Sequence, residues 1–463
     1  MQSHFMLIPT LIASLVAPGN PTPDVPPPPP NVVILLSDDA GWADFGFHGS
    51  DDIATPHLDQ LAGDGVILDA CYVTASVCSP SRAGLITGVQ QQRFGHEYNL
   101  PGLAPRPEGG LPLEQQTIAD RFKAAGYHTG LIGKWHLGLA DHFHPTRRGF
   151  DEFRGFRAGS RSYFGKPDYQ QGDRALERNG EFVDEESIAY LTENLGEEAA
   201  DFIRQNESRP FFMMVSFNAP HTPMQAREVD LSDHASITNQ KRRTYAAMMQ
   251  AMDRACGVIL DTIRDQSLES HTIVIFTNDN GGATSNGSDN GPWRGMKGSL
   301  FEGGLRVPAI LRWPGYTTPG THLSEPTSVL DLMATVISAA GADASRLDGK
   351  DLTPLLDGST SLRTPGNLFW RRGPVAALRA GDAKCIRVED QATMLFDLNT
   401  DPGETRDLSA QNPGRTVRML AMLAQWEAGM QSPRWVTAPV WRKNLLRKHS
   451  MEVVGRDAER KLP

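Results

Sequence analysis

Cysteine is scarce in this chain. Four are spread over 463 residues, too few and too dispersed for a disulfide framework to hold the fold. Cys256 falls on the apolar stripe Tyr245, Met249, Met252, Cys256, Ile259, Ile263, whose spacing marks a buried helix face. Cys78 lies in a motif of its own, and nothing in the sequence says whether Cys71 and Cys385 pair. Positive charge is also in deficit: the formal net charge is -10, which argues against general nucleic-acid binding and leaves room only for a local basic cleft. A membrane-spanning run is missing as well. The longest apolar stretch, residues 4–17, has the length of a signal-peptide core and is too short to cross a bilayer. No Lys or Arg precedes it and Pro18 follows Ala17, the candidate cleavage residue. Residues 1–17 are read as a signal peptide directing the chain to the periplasm or the exterior, with no stable membrane insertion. No cysteine follows that could carry a lipid anchor. Residues 18–30, ending in five consecutive prolines, form an extended polyproline linker. No internal repeat is visible.

The continuous apolar run Asn31 to Ser37 reads as a strand buried on both faces of a mostly parallel sheet, and it ends in Asp38-Asp39. His271 to Thr277 is a second such strand and ends in Asn278-Asp279-Asn280. Ligands gather at the carboxyl ends of strands in α/β sheets, and adjacent carboxylates there need a cation to offset their repulsion. Asp38, Asp39, Asp279 and Asn280 offer oxygen without imidazole or sulfur, so Ca²⁺ or Mg²⁺ is expected before zinc or copper. A solvated or helix-capping role for one member of the Asp38-Asp39 pair is the competing reading.

Between the two strands, Val77 to Gly88 reads VCSPSRAGLITG. Pro80 fixes a turn and Ser81 is placed to cap a helix over Arg82 to Thr87, which would hold Cys78 near a helix N-terminus beside the Arg82 guanidinium. That is a setting for an anion or for a nucleophile that handles one. Taken alone, the same residue also reads as a small buried thiol. Further on, Leu113 to Ala125 has helical spacing, and Thr129 to Ile132 is a short strand delivering Gly133-Lys134-Trp135-His136-Leu137-Gly138. On an extended segment Lys134 and His136 face one pocket. Pro210 to Phe217 is another buried strand, leading to Pro220-His221-Thr222-Pro223. The Gly-rich segment 291–308, containing Lys297, reads as an active-site loop. Arg93, His96 and Glu97 follow the Cys78 helix and are candidates for reading the substrate. The stretch that follows Phe153, to about Asn179, is rich in Gly, Arg and aromatic residues, which in an acidic chain suits a sulfated or carboxylated sugar better than single-stranded nucleic acid.

The motif C-x-P-S-R at Cys78 to Arg82, the block G-K-W-H-L-G and the segments around Asp38, Asp279 and Lys297 resemble the type I sulfatase family. So do Pro145 to Phe153 and, late in the chain, Phe396-Asp397-Leu398 with Asp401-Pro402-Gly403-Glu404. The resemblance implies an alkaline-phosphatase-like α/β fold, in which a large mixed, mostly parallel sheet is flanked by helices. It implies hydrolysis of sulfate esters to alcohol and inorganic sulfate. It also implies that Cys78 is converted to formylglycine by a formylglycine-generating enzyme, and that a divalent metal, usually calcium, is held by Asp38, Asp39, Asp279, Asn280 and residue 78. One hydroxyl of the hydrated aldehyde, held by Arg82, then attacks sulfur. Lys134 and Lys297 grip the sulfate, His221 protonates the leaving alcohol, and His136 takes a proton from the other hydroxyl. The substrate expected is a sulfated carbohydrate. Two other readings stand beside it: a phosphodiester or phosphonate hydrolase with the same core, and a sulfated-glycan binding protein in which Cys78 is never oxidised.

The catalytic domain is expected over residues 31–365. From Gly366 the pattern shifts to short strands, Val375 to Leu378, Lys384 to Val388 and Met394 to Leu398, followed by a helix over Arg415 to Met430. Residues 366–463 are read as a smaller antiparallel sheet with one helix and a basic tail that carries no functional signal.

Overall fold

The computed structural model describes residues 29–100, 108–169, 172–356, 366–436 and 438–449. The signal-peptide reading lies outside these residues, and so does the linker except for Pro29 and Pro30.

The main sheet uses β1 (Asn31–Ser37), β2 (Val66–Leu68), β3 (His128–Lys134), β4 (Glu152–Phe156), β5 (Glu177–Arg178), β6 (Glu181–Phe182), β7 (Phe211–Ser216), β8 (Thr272–Asn278), β9 (Ala309–Arg312) and β10 (Thr321–Leu323). Their order across the sheet is β10-β2-β9-β8-β1-β7-β3-β4-β5-β6. The five strands from β8 to β4 run parallel, and β9 is antiparallel to β8. The apolar run of β1 is continuous because both of its faces are covered. Val32, Ile34 and Leu36 point into the core shared with α1 (Cys78–Thr87), α2 (Ile118–Ala124) and the later helix Val329–Ala339. Val33 and Leu35 point into the core shared with α3 (Leu191–Asn206) and α4 (Gln240–Asp265), whose buried face includes Cys256.

Helix α2 is shorter than its spacing predicts. The Thr117 hydroxyl accepts the Asp120 N–H at 3.0 Å and the Asp120 carboxylate accepts the Thr117 N–H at 2.9 Å. This capping box starts the helix there and leaves Leu113 58% exposed.

The C-terminal part is an antiparallel sheet of β11 (Leu368–Arg372), β12 (Val375–Ala380), β13 (Ala383–Val388) and β14 (Ala392–Asp397), with the helix Pro413–Glu427 against it. Its two faces have different partners. Trp370, Ile386, Met394 and Phe396 join the core under the main sheet, whereas Leu378, Cys385 and Leu395 pack on Met419 and Leu423 of the helix. Buried Lys384 ties the parts together, its Nζ lying 2.8 Å from Glu302 and 2.9 Å from Glu404 of the late motif. Cys71 and Cys385 sit in separate clusters, and all four thiols are free. The chain then crosses back to the main body and forms a helix over Pro439–Lys448. Among the described residues no helix is long and apolar enough to cross a membrane.

Candidate active site

Four neighbouring parallel strands, β8, β1, β7 and β3, finish along one edge of the sheet and deliver the polar residues there. Ser37 lies level with Asn278, so Asp38-Asp39 and Asp279-Asn280 leave adjacent strand ends side by side. Asp39 turns sharply away with φ 67°. Lys134 closes β3, and the chain beyond β7 turns through Asn218 to His221.

Helix α1 brings Cys78 to this edge. The helix begins at Cys78 itself, with Val77 as its N-cap, and not at Arg82 under a Ser81 cap. Pro80 fits inside the first turn because no helical acceptor precedes it there, and the Ser81 N–H donates to Val77 O at 3.2 Å. Ser79 is the residue that fastens this turn: its hydroxyl donates to His136 O at 2.9 Å and lies 2.7 Å from His96 Nε2.

Around Cys78 the charges match one for one. Lys134 Nζ contacts Asp38 Oδ2, Arg82 Nε donates to Asp279 Oδ2 at 2.9 Å, and Lys297 Nζ stands 2.6 Å from Asp39 Oδ1 and 3.0 Å from Cys78 Sγ. Asp38 is fully buried, which alone would raise its pKa, yet Lys134 foremost, with His221, Arg82 and Lys297, holds it below the usual carboxylate range. Asp279 is pushed up to about 7 by burial and by neighbouring Asp38, against the pull of Arg82. Burial pushes the Cys78 thiol up to about 12 despite Lys134 and Lys297, so the unmodified residue supplies no thiolate near neutral pH.

The donor set fits a divalent cation. Asp279 Oδ1 and Asn280 Oδ1 are buried and find no hydrogen-bond partner among the described residues. Asp38, Asp39, Cys78 and His221 each offer a ligand atom, all within 4.8 Å of one another. Carboxylate and amide oxygens in that density are the surroundings a hard cation requires.

His221 Nε2 lies 3.5 Å from Asp39 Oδ2, and its Nδ1 lies 2.7 Å from Thr222 O. A carbonyl only accepts, so Nδ1 carries hydrogen and Nε2 is the nitrogen turned to the site. His136 is not on extended backbone: β3 ends at Lys134 and His136 has φ 60°. Its imidazole still senses the cluster, burial first and then Lys134 and Arg82 driving it toward the neutral form. The structure does not bring Arg93 or His96 to the reacting centre. Arg93 pairs with Asp348 at 2.8 Å. His96 is buried beneath Ser79 and edge-on to Trp435. Glu97 is taken by Arg371.

A cavity of about 920 Å³ opens over Asp39, Lys297 and His221. Its far wall comes from Tyr98, Asn99, Arg372 and the helix Pro439–Lys448. The sequence reading missed this wall. The surplus of Lys and Arg in the tail was its only trace.

A parallel α/β sheet with carboxylates and lysines converging on one buried side chain at its strand ends defines a hydrolase for an anionic ester. The family model described as Sulfatase matches residues 30–342, and the chain belongs to that family, whose members are sulfuric ester hydrolases. It is 36% identical over 363 residues to N-acetylgalactosamine-6-sulfatase of Sus scrofa, covering 73% of this chain and 67% of that protein. With arylsulfatase A of Homo sapiens it shares 34% identity over 84% of this chain and 85% of that one. The crystal structure of Ps i-CgsB superposes with a TM-score of 0.85 at 33% identity, over 92% of this chain and 99% of that one. Family membership implies a formylglycine and a divalent metal.

Proposed function

We propose that the chain hydrolyses sulfate esters of sulfated oligosaccharides, with residue 78 as formylglycine and Ca²⁺ held by Asp38, Asp39, Asp279, Asn280 and residue 78. The observation that carries this is the convergence of Arg82, Lys134, Lys297 and the strand-end oxygens on residue 78, beside an open cavity. The aldehyde hydrate supplies a hydroxyl nucleophile, and its second hydroxyl supplies the route by which sulfate leaves. The cation supplies Lewis acidity. Arg82, bonded to Asp279 and 3.6 Å from Asp38, fixes both carboxylates relative to α1. Lys134 and Lys297 are placed to neutralise the sulfuryl oxygens as negative charge builds on them. His221, its Nδ1–H fastened to Thr222 O, presents Nε2, which protonates the departing alcohol from the imidazolium form that burial opposes and Asp38 and Asp39 favour. His136, half-buried and driven toward its neutral form, is suited to accept a proton.

The cavity supports a sugar as the alcohol. Trp441 is 59% exposed and offers an open aromatic face near Asn99 and Asn444, a pairing that suits a sugar ring's apolar face and hydroxyl edge. A second crystal structure of Ps i-CgsB, at 32% identity and TM-score 0.84, is described as a complex with k-i-k-neocarrahexaose. Maturation by a formylglycine-generating enzyme and export to the periplasm or cell exterior belong to the same proposal.

The test has two parts. The mass of the proteolytic peptide spanning residue 78, from protein co-expressed with a formylglycine-generating enzyme, should correspond to CHO in place of CH₂SH; an intact thiol would favour a sulfated-glycan binding protein. The matured enzyme should then release sulfate from sulfated oligosaccharides and leave aryl phosphonate largely intact. Preference for the phosphonate would overturn the sulfate-ester reading.

A further inference from the structure

We infer that Arg372 and Lys448 form a second anion subsite, which holds a second sulfate or a carboxylate of the substrate while the scissile sulfate sits at residue 78. This inference rests on the oligosaccharide reading above. It starts from a difference between two groups of cations in one cavity. Arg82, Lys134 and Lys297 each have a carboxylate partner. Arg372 and Lys448 have none within salt-bridge distance among the described residues, although both are largely withdrawn from water.

What holds them is backbone carbonyl. Arg372 Nη1 donates to Gly298 O at 2.9 Å, and Lys448 Nζ donates to Lys297 O. Lys448 ends its helix, where a cation is favoured by the dipole, yet its head reaches away to another element. Gly298, at φ 85°, lets the two heads meet: a Cβ placed on it would stand 2.8 Å from Arg372 Nη1 and 3.1 Å from Lys448 Nζ. Arg372 Nε is buried without a hydrogen-bond partner among the described residues. Two like charges over one glycine repel each other and are costly to desolvate, so the arrangement is relieved by an anion bound between them. Burial brings Lys448 down to about 8, and neighbouring Arg372 and Lys297 contribute to that.

The place of these groups says which anion they would bind. They adjoin the main chain of residues 297 and 298, whereas the Lys297 side chain points inward to Cys78 Sγ and Asp39. A single sulfate at residue 78 is already served by Lys134 and Lys297. The outer pair is therefore positioned for a second anionic substituent of the same sugar or of its neighbour. Guanidinium and ammonium donors to an anion are charge-assisted hydrogen bonds, for which about tenfold in affinity is a modest expectation.

The experiment measures inhibition of 4-nitrophenyl sulfate hydrolysis by the matured enzyme, using three disaccharides: one monosulfated, its disulfated counterpart, and a monosulfated counterpart bearing a uronate. At least one doubly charged sugar should inhibit about tenfold more tightly than the singly charged one, and which of them does so tells sulfate from carboxylate. In Arg372→Gln and Lys448→Met the ratio of inhibition constants should fall toward one. Because the readout is a ratio, a change in turnover common to all three sugars cancels. Equal inhibition by all three in the unaltered enzyme overturns the subsite alone and needs no variant to establish it. A ratio preserved in both variants also overturns it. No inhibition by any sugar, with nitrophenyl sulfate still hydrolysed, overturns the carbohydrate reading and the subsite with it.

Discussion

The floor and the far wall of the cavity are built on opposite plans. On the floor, Asp38 and Lys134 are almost wholly excluded from solvent, and each cation answers a carboxylate. On the wall, Trp441 is open to solvent and two cations stand on backbone carbonyls without an acidic partner among the described residues. A buried charge without a partner is expensive, so the floor is compensated and fixed by the strands it grows from. The wall is assembled from a sheet edge and a late helix and keeps its charge in reserve for a ligand. Bond cleavage needs positions held tightly at the ends of rigid strands. Recognition can be placed on elements that arrive last.

Experiments can break this contrast or sharpen it. The largest effect should come from the floor: Cys78→Ala should cut turnover of 4-nitrophenyl sulfate by at least about 10³-fold, because residue 78 is the group proposed to form the covalent ester. A variant keeping a tenth of the activity would remove residue 78 from its role. Chelation should follow, lowering activity about 10²-fold or more, with Ca²⁺ restoring it. Full activity in protein shown by elemental analysis to be metal-free would refute the cation site. His221→Ala lies between floor and wall, and its cost should depend on the leaving group. The expected loss is about 10²-fold on a sugar sulfate and much less on nitrophenyl sulfate, which leaves without a proton. Equal losses on both would assign His221 to binding.

The smallest effect belongs to the wall and is read through pH. The Lys448 ammonium faces Arg372, Lys297 and Arg447, with Asp39 as the opposing charge, and burial with these cations sets it at about 8. It is charged below that value and neutral above. The preference for a doubly charged inhibitor should be full on the acid side and shrink a few-fold as pH rises through about 8, while Lys448→Met should show a flat ratio. A preference that grows with pH would contradict the assignment.

Most of the floor was legible because its signals are local. A largely apolar β-strand that stops at side chains carrying carboxylate or amide oxygen announces both its burial and its exit point, and this happens twice, at Ser37 before Asp38-Asp39 and at Asn278 before Asp279-Asn280. Capping was less legible. Ser81 and Leu113 both lie where a helix start or apolar face is plausible, but Val77 begins α1 without any side-chain cap and Thr117 begins α2 with a full capping box. Propensity alone does not decide between neighbouring registers. Arg93 and His96 failed to reach the pocket for a different reason. Arg93 is taken by Asp348, and His96 lies between Ser79 and Trp435; Asp348 and Trp435 are each more than two hundred residues away in sequence.

The sequence by itself determined the parallel sheet, the residues at its strand ends and the place of Cys78 at a helix N-terminus, because each depends on periodicity and neighbours a few residues apart. Only the tertiary structure decided that the basic tail forms a wall of the cavity. It also decided that Arg372 and Lys448 meet over Gly298, and that the C-terminal sheet shares the main core. These depend on contacts between segments far apart in the chain, whose pairing no local pattern encodes, and they form only once the sheet has given them a surface to pack against.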